Sequence, residues 1–179
     1  MNGGTIMIRL RFLLVALVIA ASALAQSDPW APLRAFEGKW EGETSGKPGK
    51  GTTAREYQFR MNGKFLFQRD KSVYQPTDPA GKPLAHEDFG VFSYDTDSKK
   101  ILWRQFHSEG FVNEYTLDSV SADGKTLEFV TTHIENLPGF RAKKQYRIVS
   151  ASEIEETFWL APPGKELAVY TVAHLKRAQ

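Results

Sequence analysis

Phe36-Glu37-Gly38-Lys39-Trp40-Glu41-Gly42-Glu43 is the stretch on which the fold turns. It sets one tryptophan between two glycines and opens a long series of short segments in which apolar and polar residues alternate. Glycine has no Cβ and lets backbone approach a bulky neighbour closely. Gly38 and Gly42 therefore read as room for the Trp40 indole rather than as chemistry.

On the N-terminal side, Arg9 and Arg11 precede the apolar run Phe12 to Ala20 and a small-residue exit at Ala23-Leu24-Ala25. That is the layout of a cleaved secretory signal peptide over residues 1–25. The run is shorter than the roughly 18 apolar residues that argue for a spanning helix, so no stable membrane insertion is expected after cleavage. The expected location is periplasmic or secreted. Between the leader and the motif, Asp28 is placed to cap a helix and Pro29 to occupy its first position, which predicts a short helix or 3₁₀ turn closing one end of the fold.

Residues 26–179 suit a single domain. The formal net charge of +2 is matched by Arg9 and Arg11 in the leader, so the remainder has no basic excess and nucleic acid is not an expected partner. The chain has no cysteine, which excludes disulfides, thiolate metal sites and a cysteine nucleophile.

Downstream of Trp40, alternation predicts strands near 38–44, 52–60, 65–74, 87–95, 100–108, 111–118, 126–134, 140–149, 152–160 and 167–177. Turn chemistry such as Asn62-Gly63, Ala122-Asp123-Gly124-Lys125 and Pro162-Pro163-Gly164 separates them. Nearly every link is hairpin-sized, whereas a Greek-key sandwich needs long crossovers. The expected fold is all-β, an antiparallel up-and-down barrel of about ten strands.

Side-chain parity orients these strands. On 140–149, Arg141, Lys143, Gln145 and Arg147 share the solvent side, while Ala142, Lys144 and Tyr146 point inward. The same reasoning groups Trp103, Gln105 and His107; Phe111, Asn113 and Tyr115; and Leu127, Phe129, Thr131 and His133. Arg55 is grouped with Tyr57 and Phe59, and Arg69 with Phe65 and Phe67. An interior both aromatic and polar suggests room for water or one small molecule.

Gly38-x-Trp40-x-Gly42 on the first strand, a short helix before it and a last strand ending in Leu175-Lys176-Arg177 resemble the calycin superfamily of lipocalins, fatty-acid-binding proteins and nitrobindins. The strand count is nearer the latter two. The stretches "RQFHSEGFVNEY" and "IVSASEIEETFWLAPPGKELAVYTVAHLKR" are also similar to bacterial lipocalin-like domains of unassigned function. The resemblance implies that Trp40 plugs the closed end, with Arg177 or Lys176 over its ring. By the same resemblance, a buried cation would anchor a carboxylate-bearing ligand, as in fatty-acid-binding barrels. Nitrobindins are ferric-haem barrels whose axial histidine lies on the last strand; here that place is closest to Tyr170, with His174 nearer the end than the pattern asks.

Of the histidines His86, His107, His133 and His174, two, His107 and His133, are expected inside. No Gly-x-Ser-x-Gly elbow or His-Glu-x-x-His pair occurs. Glu155 and Glu156 are adjacent on a strand and so face opposite sides; an inward Glu156 could pair with Lys144, Arg55 or Arg69. The segment from Gly46 to Thr52 reads as a hairpin loop, since a phosphate loop needs a lysine after its last glycine and a following helix. The expected function is non-catalytic binding of a small, largely apolar ligand. Trp103, His107, Tyr115, Phe129, His133 and Tyr146 are its expected contacts, with Arg55 or Arg69 as an anion anchor. The alternatives are a haem barrel using His174 or Tyr170 and acting on reactive nitrogen species, and a structural or envelope-assembly domain.

Overall fold

In the computed structural model, residues 28–76, 78 and 80–179 are described; the expected leader lies outside them. A 3₁₀ turn at Ala31–Phe36 is followed by ten strands: β1 (Gly38–Gly46), β2 (Gly49–Arg60), β3 (Phe65–Tyr74), β4 (Leu84–Asp95), β5 (Lys100–His107), β6 (Val112–Val120), β7 (Thr126–Glu135), β8 (Arg141–Ser150), β9 (Glu153–Ala161) and β10 (Ala168–Arg177). Each pairs antiparallel with its neighbours in sequence, and β1 pairs with β10 to close the barrel. Closure leaves the sheet without a free edge strand among the described residues.

The 3₁₀ turn starts later than the capping signal implied. Asp28 Oδ1 accepts the Trp30 amide at 3.0 Å, an Asx turn, and Pro32 rather than Pro29 stands at the start of the helix. Leu33 and Phe36 from this turn are buried in one end of the barrel.

Trp40 is 1% exposed, and its Nε1–H donates to the Phe36 carbonyl at 2.7 Å. Register places Trp40 opposite Arg177, whose guanidinium carbon sits 4.3 Å from the indole centroid. The same guanidinium donates to the carbonyls of Glu37 at 2.6 Å, Ala35 at 2.9 Å and Ala151 at 3.1 Å. One arginine thus ties the 3₁₀ turn, the β8–β9 turn and the indole together, satisfying carbonyls that a helix end leaves without partners.

The flanking glycines serve other neighbours than the indole. Gly38 has φ +121°, and a Cβ there would lie 2.5 Å from Arg177 Nη1. At Gly42 a Cβ would lie 1.8 Å from the His174 carbonyl oxygen, so this glycine lets β1 and β10 meet. Gly42→Ala is expected to destabilise the fold by about 2–3 kcal/mol, because backbone must move to admit a methyl group. Urea unfolding would show a lower midpoint at unchanged slope; an unchanged midpoint would refute the close approach.

Two parity assignments are corrected by the register. Glu114 pairs with His133 but Tyr115 with Thr131, so Thr132 is the extra residue of a β-bulge. Beyond it the faces exchange: Ile134 is buried and His133 is exposed. On β3 the inward set is Leu66, Gln68, Asp70, Ser72 and Tyr74, leaving Arg69 outside with Phe67. The more polar set is the buried one, which hydrophobic patterning reverses. The outer face carries Lys39, Glu41, Lys71, Glu87, Arg104, Glu114, Arg147 and Glu155.

Candidate functional site

Inside, the barrel is stratified from the plugged end upward. The lowest layer is solid: Trp103 stacks on Phe92 and on Tyr115 at 4.7 Å between centroids in each case, and Phe129 and Tyr146 meet these rings edge-on or tilted. Such offset and edge contacts add about 0.5–1.5 kcal/mol per pair beyond area burial. Trp103, Tyr115, Phe129 and Tyr146 are each at most 1% exposed. They floor the interior rather than line its open space.

Above the rings lies a belt of buried charge. Arg55 is held from two sides: Nη2 donates to Glu156 Oε1 at 3.0 Å with Nη1 beside Oε2, and Nε stands 2.9 Å from Asp70 Oδ2. Lys144 Nζ lies 3.9 Å from Glu156 Oε1 and 5.1 Å from the Trp103 ring centroid. The Thr53 hydroxyl donates to Asp70 Oδ1 at 3.1 Å, and the Ser72 hydroxyl to Thr53 Oγ1 at 2.9 Å. Burial alone would raise the Glu156 pKa, but Arg55 and then Lys144 outweigh it and bring it down to about 2. Asp70 goes the other way: burial pushes it up against the pull of Arg55, with the Asp88 carboxylate adding to the rise. Arg55 is therefore engaged by two carboxylates of the protein itself.

The third layer is a cavity of about 260 Å³ at the open end. Its walls mix the polar belt with an apolar rim of Tyr74, Leu84, Phe111, Phe158, Leu160 and Tyr170. On one wall Asp88 Oδ1 stands 2.6 Å from His107 Nδ1 and 3.0 Å from His86 Nε2, while Glu109 Oε1 is 2.7 Å from His86 Nδ1. Burial disfavours the His86 imidazolium, yet the neighbouring Asp88 and Glu109 carboxylates prevail and raise its pKa to about 9. Asp88 is held well below the usual carboxylate range despite burial, because the His107 and His86 rings stand against it. Asn113 Nδ2 donates to His107 Nε2 and to Tyr115 Oη, each at 3.0 Å, and its own Oδ1 is buried without a hydrogen-bond partner among the described residues.

Ladder pairing between β7 and β8 runs only from Thr126 to Val130; above it the Thr131 hydroxyl donates to the Ala142 carbonyl at 3.1 Å and accepts from the Ala142 amide at 2.8 Å. A separate groove of about 730 Å³ runs over the outer face past Lys39, Glu41, Arg69, Lys71, Phe89 and Phe106, on the far side of the wall from the cavity.

No family profile and no curated protein sequence matches this chain. Solved structures do. The crystal structure of Rv2717c from M. tuberculosis aligns with a TM-score of 0.67 over 86% of this chain and 99% of its own, at 18% identity. The S-type phycobiliprotein lyase CPES from Guillardia theta aligns with a TM-score of 0.52 over 81% of this chain and 89% of its own, at 11% identity. What is shared is the fold. At these identities the likeness establishes the barrel fold and nothing of the chemistry inside it.

Of the ligand contacts expected from sequence, His107 and Arg55 line the cavity. Trp103, Tyr115, Phe129 and Tyr146 lie in the packed layer beneath, and His133 and Arg69 are on the outer surface. His86, Asp88, Glu109 and Phe158 were not anticipated. Parity on β4 carries the first two once the strand is begun at Leu84; started at residue 87, it omits His86. Glu109 lies in the β5–β6 turn, where no periodicity operates.

The axial positions implied for haem do not meet the cavity as that chemistry needs. The His174 side chain is 62% exposed and sits 3.5 Å from Glu155 on the outer face. Tyr170 reaches the rim from a β-bulge in β10, against Phe158, over a space smaller than a porphyrin macrocycle. Neither residue implied as an axial ligand is placed to hold haem.

Proposed function

We propose that this protein is an exported barrel that binds, without transforming, one small molecule with an apolar body and a polar head in the cavity at its open end. The observation that carries the reading is the cavity itself, an apolar rim above a wall of buried ionisable groups, the usual make-up of a small-molecule site. The rim would shelter the body of the ligand and the His86, Asp88 and His107 wall would meet its head. Its volume suits a compact molecule. The leader expected over residues 1–25 supports export. The Rv2717c and phycobiliprotein lyase folds support a barrel of this kind only as architecture.

Asp88 and His107 are paired as an acid and a general base would be, but His107 Nε2 meets the Asn113 amide rather than a hydroxyl that it could activate. That favours binding over nucleophilic chemistry. Arg55 is neutralised by Asp70 and Glu156, so the polar head would be recognised by hydrogen bonding at the histidine wall rather than captured by a spare cation.

Displacement of an environment-sensitive fluorescent fatty acid by short amphiphiles tests this. Phe158→Trp and Leu160→Trp, which fill the rim, are expected to weaken probe binding about tenfold or more, equivalent to about 1.4 kcal/mol, with unfolding midpoints little changed. A protein that takes up no probe, and carries no small molecule in native mass spectrometry, would overturn the reading.

A further inference from the structure

We infer that His86, His107 and Glu109 form a binding site for one divalent transition-metal ion of the zinc class on the wall of the cavity. The three residues come from β4, the end of β5 and the β5–β6 turn, and one donor atom from each lies within 4.8 Å of the others. Imidazole nitrogen and carboxylate oxygen together suit zinc, cobalt or nickel, whereas magnesium and calcium favour all-oxygen shells.

Two details favour a metal over a chance cluster. First, Asp88 Oδ1 stands 3.0 Å from Nε2 of His86 and 2.6 Å from Nδ1 of His107, so one buried carboxylate backs both rings. The nitrogens turned away from it are His86 Nδ1, beside Glu109, and His107 Nε2. A carboxylate behind the imidazole is the usual outer support of a histidine ligand, fixing its tautomer and its direction. Second, Asn113 is 1% exposed, touches His107 Nε2 through its amide nitrogen and leaves Oδ1 without a partner. Asn113 Oδ1, Asp88 Oδ1 and His107 Nδ1 are all buried without a hydrogen-bond partner among the described residues, and such unsatisfied groups mark a place where another group completes the shell.

Zinc ligands stand roughly 2.0–2.1 Å from the ion, which requires donors roughly 3.3 Å apart. Donors that lie within 4.8 Å of one another close on an ion by a small movement. Glu109 can supply it, being in a turn with its side chain 47% exposed. The fourth position faces the cavity and would hold water or the polar head of a bound molecule. The site does not depend on the proposed organic ligand, since every donor belongs to the protein.

Calorimetric titration of the metal-stripped protein with Zn²⁺, and visible spectra with Co²⁺, test the site. One equivalent of zinc is expected, together with the d–d bands of four-coordinate cobalt. Glu109→Gln, on an exposed turn, and His86→Gln should each weaken zinc binding at least tenfold, while His174→Gln on the outer face should change nothing. Asp88→Asn, which keeps every donor, should weaken it about 10–100-fold as a positioning change. The site is overturned if no equivalent binds, or if affinity is the same in Glu109→Gln and His86→Gln as in the parent. Fatty-acid displacement on the same samples keeps the two proposals apart, for loss of zinc binding with probe binding intact removes only the metal.

Discussion

Trp40→Ala is expected to destabilise the barrel by about 3–5 kcal/mol, a large part of the total stability of a domain this size. The indole is fully enclosed between the 3₁₀ turn and Arg177, so truncation leaves a cavity that the closed sheet cannot collapse to fill. It also strips the Phe36 carbonyl of its donor and Arg177 of the ring beneath it. Trp40→Phe separates these contributions. It keeps much of the apolar volume but leaves the carbonyl unpaired, for an expected loss of about 1–3 kcal/mol. Arg177→Lys keeps the charge yet cannot reach three carbonyls with one planar fork, and should fall between the two. Chemical denaturation of the three variants would check the order; a Trp40→Ala protein as stable as its parent would remove the plug.

Glu156→Ala is expected to cost a similar amount, about 3–5 kcal/mol, because it leaves Arg55 and Lys144 buried with Asp70 as the nearest remaining carboxylate of the belt. Replacing partners together, as Arg55→Met with Glu156→Leu, should be less damaging than Glu156→Ala alone, since buried ion pairs gain little over well-packed apolar groups. The pair also predicts an acid limit. Glu156 has an ordinary pKa of 4.5 and a folded value of about 2, so its contribution is present above about 4.5 and is lost as pH falls towards 2. Asp70 is shifted upward, so protonating it with acid relieves the folded state and offsets part of that loss. Unfolding free energies measured across this range should decline more steeply in Asp70→Asn than in the parent, and less steeply in Glu156→Gln. A decline equal in all three proteins would show that the belt does not set the acid limit.

The ten strands were legible because alternation is a local property: a residue facing the core is followed by one facing water, and hairpin turns are marked by their own residues. Glu155 and Glu156 illustrate it, the first bound to Arg147 outside and the second to Arg55 within. Parity misled where the interior is polar. On β3 the apolar pair Phe65 and Phe67 pointed the assignment at the wrong face, because Asp70 and Ser72 are buried against Thr53 of β2. It misled again past Thr132, where one extra residue exchanges the faces of β7 and turns His133 out to water.

The sequence by itself determined the strand count and the antiparallel order of strands, because both follow from spacing along the chain; the place of Trp40 was implied by the resemblance alone. Tertiary structure alone decided what the interior is for. Whether Trp103 and Tyr115 line a space or fill it, whether Arg55 is spare or neutralised, and whether His86 and Glu109 meet depend on residues up to 101 positions apart. Closure of the barrel sets those distances, and no local pattern records them.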